Sequence, residues 1–175
     1  TKTGSITSVQ AVYVPADDFT DPSAVHAFSH LSAAVVLSRK RASEGLYPAI
    51  DTLQSTSEML SPSVVGQRHY RVASDVRGTL AAYEDLKDII AMLRSEELSQ
   101  QDRRTVNRAR RLERFMTQPF FTTEQFTGLQ GQMVDIEDTL DGCERILADE
   151  FYDFPERALY MIGKVDSAVT GAVSS

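Results

Sequence analysis

Near residue 60 the chain changes its apolar pattern, and that change limits the possible folds more than any single motif. Before it, short apolar runs of strand type alternate with short helical stretches; after it, apolar residues recur at three and four and the β-type runs stop. Residues 6–14 read as a strand, with Ile6 and Val12 among β-favouring neighbours. Asp21 and Pro22 then offer a cap and a first-turn proline for a helix to about Ser29. Residues 33–37 form a second apolar run whose lack of polar alternation suits a strand buried on both faces of a parallel sheet, although periodicity alone fits a short helix equally. Residues 39–44 read as a helix stopped by Gly45. This β-α-β-α order is half of an α/β sheet domain, and half a sheet leaves open edges.

Beyond residue 60 the sequence predicts a helical bundle. Pro62 opens a long helical region in which Val65, Val72, Val76, Leu80, Tyr83, Leu86, Ile90 and Leu93 make one apolar stripe, with Gly78 a point of weakness or bending. A second helix starts at Ser99, where Asp102 three positions on gives a capping-box-like arrangement, and it ends before Pro119. The third is expected over 135–150, with Ile136, Leu140, Cys143 and Leu147 as its apolar stripe. A short helix follows Pro155 through Ile162. Residues 164–175 are small and polar enough to be a flexible tail.

Composition excludes some functions. The chain has 175 residues, 42% of them hydrophobic and 25% charged, as expected of a globular protein. No apolar run approaches the roughly 20 residues that span a bilayer. The single Cys143 cannot form an intrachain disulfide. A net charge of −7 works against nonspecific nucleic-acid binding, which needs a segregated basic face. One candidate face exists, because Arg103, Arg104, Arg108, Arg110, Arg111 and Arg114 crowd one helix. Yet no aromatics interleave with them for base stacking, and a solvated face paired with neighbouring carboxylates fits the pattern better.

Two other constellations have ordinary rivals. His26 and His30 stand at i and i+4, a metal-binding spacing, but no third ligand is evident and surface histidines need no further explanation. Asp17, Asp18 and Asp21 offer oxygen ligands for a hard cation without the spacing of an EF-hand. Asp21 serves better as a helix cap. Asp17 and Asp18 then remain exposed at the C-terminal end of a strand, where partners bind in open α/β sheets. Tyr47, Phe120 and Phe126 are candidates for the core, but the last two lie in a loop-like stretch between Pro119 and Gly128, an odd place for pure packing.

The combination of Y-V-P-A-D-D (residues 13–18), Y-P-A-I-D (47–51), R-A-R (108–110), and Q-P-F (118–120) with F-T-G (126–128) resembles the catalytic beta subunit of rotary, F-type ATP synthases, without evident gap to about Gly163. The resemblance implies an α+β fragment: residues 1–59 as the C-terminal part of a P-loop-type nucleotide-binding domain, and 60–163 as the helical C-terminal domain. It implies that Tyr47 and Phe126 sandwich the adenine of ATP or ADP, with Phe120 and Thr123 completing the pocket. It also implies a catch loop at Asp17, Asp18, Thr20 and Asp21, and an acidic lever including Glu96, Glu97, Leu98 and Asp102, both touching the central-shaft gamma subunit. Alpha subunits and the N-terminal part of the beta subunit are the other implied partners. The implied location is peripheral, on the cytoplasmic face of an energy-transducing membrane.

The chain departs from the family pattern in several places. Gln100 and Gln101 replace two lever carboxylates, which weakens an ion-pair account of shaft contact and leaves a steric one intact, since exposed pairs contribute only about 0–1 kcal/mol each. Thr52, Gln54 and Glu58 stand where proline, aspartate and arginine are usual, and Thr123 where alanine is. These changes mark a divergent branch. No G-x-x-x-x-G-K-[ST] is present, so the phosphate cradle and the Mg2+ site of the nucleotide are expected outside this chain, and no residue here is assigned a catalytic role. The start at Thr1, without methionine, suits a piece of a longer protein whose upstream sequence carries the P-loop; a free-standing helical interaction module is the other reading. The 175-residue chain alone is expected to hydrolyse no ATP. A phosphate-release assay checks this, and turnover that survives repurification would overturn it.

Overall fold

The computed structural model describes residues 2–14, 22–92 and 98–172. Its N-terminal part is sparse in regular structure. The strand expected over residues 6–14 is absent: the segment is irregular, with Ile6, Val9 and Tyr13 largely exposed. A strand needs a neighbour to take its N–H and C=O groups, and no described segment pairs with this one. Helix α1, Pro22–Phe28, follows. His30 lies beyond its end, so the two histidines do not share the helical i, i+4 relation that their spacing suggested, and no group of three or more metal-ligating side chains occurs among the described residues.

The second expected strand is real but short and of the other kind. β1, Ala33–Ala34, pairs antiparallel with β2, Thr56–Ser57, and an isolated bridge joins Leu37 to Ile50. Val36 is buried while Val35 and Leu37 are 68% and 72% exposed. One face is therefore covered rather than two. An unbroken apolar run says nothing about which face meets the rest of the molecule, and here the pleat settles it. Between the strands lies α2, Arg39–Ser43, capped by the Ser38 hydroxyl and ended at Gly45, whose φ of 75° suits glycine.

The remainder is helical. The region opened by Pro62 divides at Gly66, φ 84°, into α3, Pro62–Val65, and α4, Gln67–Met92. Val72, Val76, Leu80 and Tyr83 form the buried stripe of α4, which runs through Gly78 without a break. Helix α5, Gln100–Phe115, starts as its sequence suggests: the Ser99 hydroxyl accepts from the Asp102 N–H at 3.1 Å and donates to the Asp102 carboxylate at 2.7 Å. After a 3₁₀ turn at Phe121–Thr123 come α6, Glu124–Thr127, and α7, Ile136–Leu147. Ile136 is exposed, and the inward face of α7 is Leu140, Gly142, Cys143 and Ile146. The helix expected after Pro155 is a 3₁₀ turn, Glu156–Leu159. The expected tail instead carries α8, Asp166–Ala172, with Val165 and Ala168 buried in the same core.

Helix α5 packs against both α4 and α7. Ala109 and Leu112 are fully buried, and the Phe115 ring enters a notch that exists because residue 142 has no side chain: a Cβ there would stand 2.2 Å from Phe115 Cζ. The arginine-rich face is mostly committed to the fold. Arg111 is buried and donates to the carbonyls of Phe151 at 2.7 Å and Tyr152 at 2.8 Å, and to that of Phe154. Arg108 forks onto Asp149 with two bonds of 2.7 Å, and Arg110 reaches the Tyr83 hydroxyl and Glu156. Arg111 is thus a core residue, contrary to its expected place on a solvated face. Its guanidinium gathers the carbonyls of a turn that no helix satisfies.

Burial pushes the Cys143 thiol up to about 12, so the folded state offers almost no thiolate at neutral pH. Gly142→Ala should lower stability by about 1–3 kcal/mol through overpacking against Phe115. It should also speed reaction of Cys143 with a thiol reagent, since opening supplies the reactive thiolate. Thermal melts and labelling kinetics at pH 8 check the two effects together; an unshifted melting temperature would show that the notch relaxes freely.

Candidate functional site

Tyr47 stands where two segments meet. On its own side, the Arg41 carbonyl accepts from the Leu46 N–H at 3.0 Å, turning the chain sharply after α2 and burying Leu46. Tyr47 is joined to Pro48 through a cis peptide bond. The following residues then run back beside residues 36–38, just after β1: Ser38 N–H donates to the Ala49 carbonyl at 2.8 Å and Asp51 N–H to the Val36 carbonyl at 2.8 Å. The Asp51 carboxylate closes the next turn by accepting from the N–H groups of Leu53 and Gln54 at 3.0 Å each.

The other segment comes from the end of α5. Thr117 is buried, and its hydroxyl donates to the Arg114 carbonyl and accepts from the Met161 N–H at 3.0 Å. Gln118 N–H then donates to the Tyr47 carbonyl at 3.0 Å, which sets the two segments side by side. Tyr47, 44% exposed, and half-buried Phe120 open onto one cleft of about 780 Å³, walled mainly by apolar residues of 10–14, 33–37 and 47–49. The four expected pocket residues are only partly gathered. Phe126 lies outside the walls of this cleft, on α6, and is 87% exposed; Gly128 ends that helix with φ 70°. The Thr123 hydroxyl turns back to donate to the Phe120 carbonyl at 3.1 Å, so it closes the turn rather than facing the cleft.

Of the residues expected to meet a shaft, Asp17, Asp18, Thr20, Asp21, Glu96 and Glu97 lie outside the described residues. Leu98 is buried, and its carbonyl accepts from Arg103 Nε at 2.9 Å. Asp102 is engaged in the cap of α5. Leu98 and Asp102 therefore both take part in the start of α5, Leu98 from a buried position and Asp102 from a partly exposed one. Tyr47 and Phe120 present aromatic side chains to an apolar cleft.

Several residues that hold the site have no local signature. Arg77 of α4 donates to the carbonyls of Thr52, Leu53 and Ser55. Tyr160 Oη donates to the Gly45 carbonyl at 2.7 Å. Arg41 pairs with Glu113; burial is the largest influence and acts to lower the Arg41 pKa, but the bond to Glu113 together with the negative charges of Glu113, Glu44 and Asp51 gives a net upward shift. Lys40 pairs with Glu84 at 2.8 Å, and Lys87 does so at 2.6 Å. Partial burial works against the Glu84 charge, yet these ammonium bonds hold its carboxyl down to about 2. Each of these side chains looks in sequence like an ordinary polar position on a helix.

Comparison with known proteins accounts for the two halves. Residues 1–57 match the model of the ATP synthase alpha/beta family, nucleotide-binding domain, and 58–166 that of the C-terminal domain of V and A type ATP synthase. ATP synthase subunit beta 1 of Marinomonas sp. (strain MWYL1) is 71% identical over 96% of this chain and 34% of its own length. ATP synthase subunit beta 2 of Polaromonas naphthalenivorans (strain CJ2) is 72% identical over 96% of this chain and 35% of its own length. The chain thus spans about a third of these curated relatives. Among solved structures, the ATP synthase subunit NeqB of Nanoarcheaum equitans superposes with a TM-score of 0.64 at 23% identity, over 78% of this chain and 34% of that one. The ATPase EscN of the enteropathogenic E. coli type III secretion system gives 0.62 at 22% identity, over 78% of this chain and 31% of its own. At that identity these two speak for the fold alone. With both halves matched in order and the relatives about 70% identical, the chain belongs to the ATP synthase alpha/beta family and corresponds to the C-terminal third of a beta subunit.

Proposed function

We propose that this chain supplies the purine end of the nucleotide pocket in a rotary ATP synthase, together with the contacts that couple nucleotide state to rotation of a gamma-type shaft and to ion transport. The observation that carries the reading is the shared cleft of Tyr47 and Phe120 in a chain matching a nucleotide-binding family. Apolar walls and aromatic faces suit a purine ring, whose stacking contributes roughly 1–3 kcal/mol per base and tolerates base identity. The exposed Phe126 ring, on the turn that follows Phe120, is then the second face, closing on the ring when a nucleotide arrives. Phosphates and Mg2+ are held by the part of the subunit that carries the P-loop, with alpha subunits alongside.

Coupling runs through the acidic loops. Leu98 and Asp102 fix the base of the lever, so contact with the shaft falls to Glu96 and Glu97, and on the other loop to Asp17, Asp18, Thr20 and Asp21. No transmembrane role is assigned to the described helices, none of which is long and apolar enough to cross a membrane. The complex attaches at the membrane peripherally.

In the complete enzyme, Tyr47→Ala or Phe126→Ala should weaken MgADP binding by roughly 1–3 kcal/mol through lost stacking. Equilibrium titration tests it, and unchanged affinity in both variants would return these aromatics to a packing role. The paired substitution Asp17→Ala and Asp18→Ala should impair rotation-coupled turnover while leaving MgADP affinity in place. Single-molecule rotation beside a binding titration separates the two, and a selective loss of affinity would move these carboxylates into the nucleotide site.

A further inference from the structure

We infer that the Arg41–Glu113 ion pair is the positioning element of the purine pocket, holding the Tyr47 segment and the Phe120 segment in register. The inference rests on the pocket reading above. Arg41 belongs to α2 and Glu113 to α5, and their side chains are only 13% and 12% exposed. Two charges so far removed from water persist only as each other's partner, and removing one leaves the other buried and unpaired. Together with Leu46, Pro48, Met116 and Thr117 they line a cavity of about 210 Å³ beneath the junction.

From this pair the chain leads to each aromatic within a few residues. The Arg41 carbonyl holds the Leu46 N–H, and Tyr47 is next. Glu113 lies one turn before Thr117 and Gln118, whose N–H holds the Tyr47 carbonyl, and Phe120 follows two residues later. An apolar pair of similar volume would pack α2 on α5 but fix no register between them. A charge-assisted bond is directional and does fix it. Arg41 and Glu113 touch no part of the large cleft themselves, so they act through Tyr47 and Phe120 and are positioning residues.

The test measures MgADP and pyrophosphate dissociation constants in the complete enzyme for Glu113→Gln, Glu113→Asp, Tyr47→Ala and the exchanged pair Arg41→Glu with Glu113→Arg. Glu113→Gln should weaken MgADP about fivefold to tenfold, a typical coupling for groups in one network, while pyrophosphate binding stays constant. Glu113→Asp keeps the charge and should lose less, and the exchanged pair should restore MgADP binding. A general loss of stability would lower both ligands together and leave their ratio unmoved. If the ratio is unmoved in Glu113→Gln and Glu113→Asp while Tyr47→Ala depresses it, the positioning role is wrong and the pocket stands. If Tyr47→Ala leaves MgADP affinity unchanged, the pocket reading falls and this inference falls with it. Should Glu113→Gln fail to assemble, the aspartate variant and the exchanged pair decide the same comparison.

Discussion

The seating of Phe115 in the notch at Gly142 is the contact on which the rest of the molecule depends. It brings α5 against α7 closely enough for Ala109 and Leu112 to be fully buried between α4 and α7. Helix α5 in turn fixes both the carbonyl-rich turn after Phe151, through Arg111, and the path of residues 117–120 beside Tyr47. Close packing transmits position: interiors as dense as organic crystals leave little slack between one helix and the next. The path of the segment that carries Phe120 thus depends in part on how Phe115 of α5 meets Gly142 of α7.

What the sequence made legible was mostly local. Ser99 and Asp102 announce the start of α5 because a cap is a short-range hydrogen bond. Gly45 ends α2 for a similar local reason, a positive φ. The stripe of α4 is readable because four buried residues repeat at three and four over a long helix. The errors lie where a distant partner decides. Residues 6–14 have strand composition but no described strand beside them, and the run at 33–37 has one covered face where its composition suggested two. In the expected tail Ala168 fits into an occupied core, and small size in sequence looks the same as looseness.

The site shows the same division. Residue type and loop context singled out Tyr47, Phe120 and Phe126, and the family resemblance gave them roles, yet only Tyr47 and Phe120 line the same cleft. Thr123 demonstrates why residue type is insufficient: a hydroxyl beside a carbonyl one turn back satisfies itself locally. Arg41, Arg77 and Glu113 escaped notice because an arginine that grips a carboxylate or a set of carbonyls has the same spelling as one that faces water. Only the fold distinguishes them, by placing residues far apart in sequence within reach.

Arg77, Lys40, Arg41 and Tyr160 have a joint mechanical consequence. Their bonds to Thr52, Leu53, Ser55, Glu84, Glu113 and Gly45 all cross from residues before 57 to residues after 62, in parallel with the peptide chain between them. A covalent thread of a few residues bends under any sideways force. Several short polar struts attached at separate points resist shear and twist, because a tilt that slackens one stretches another. The join is therefore braced at several separate points, as a bracket is, rather than pivoting at one.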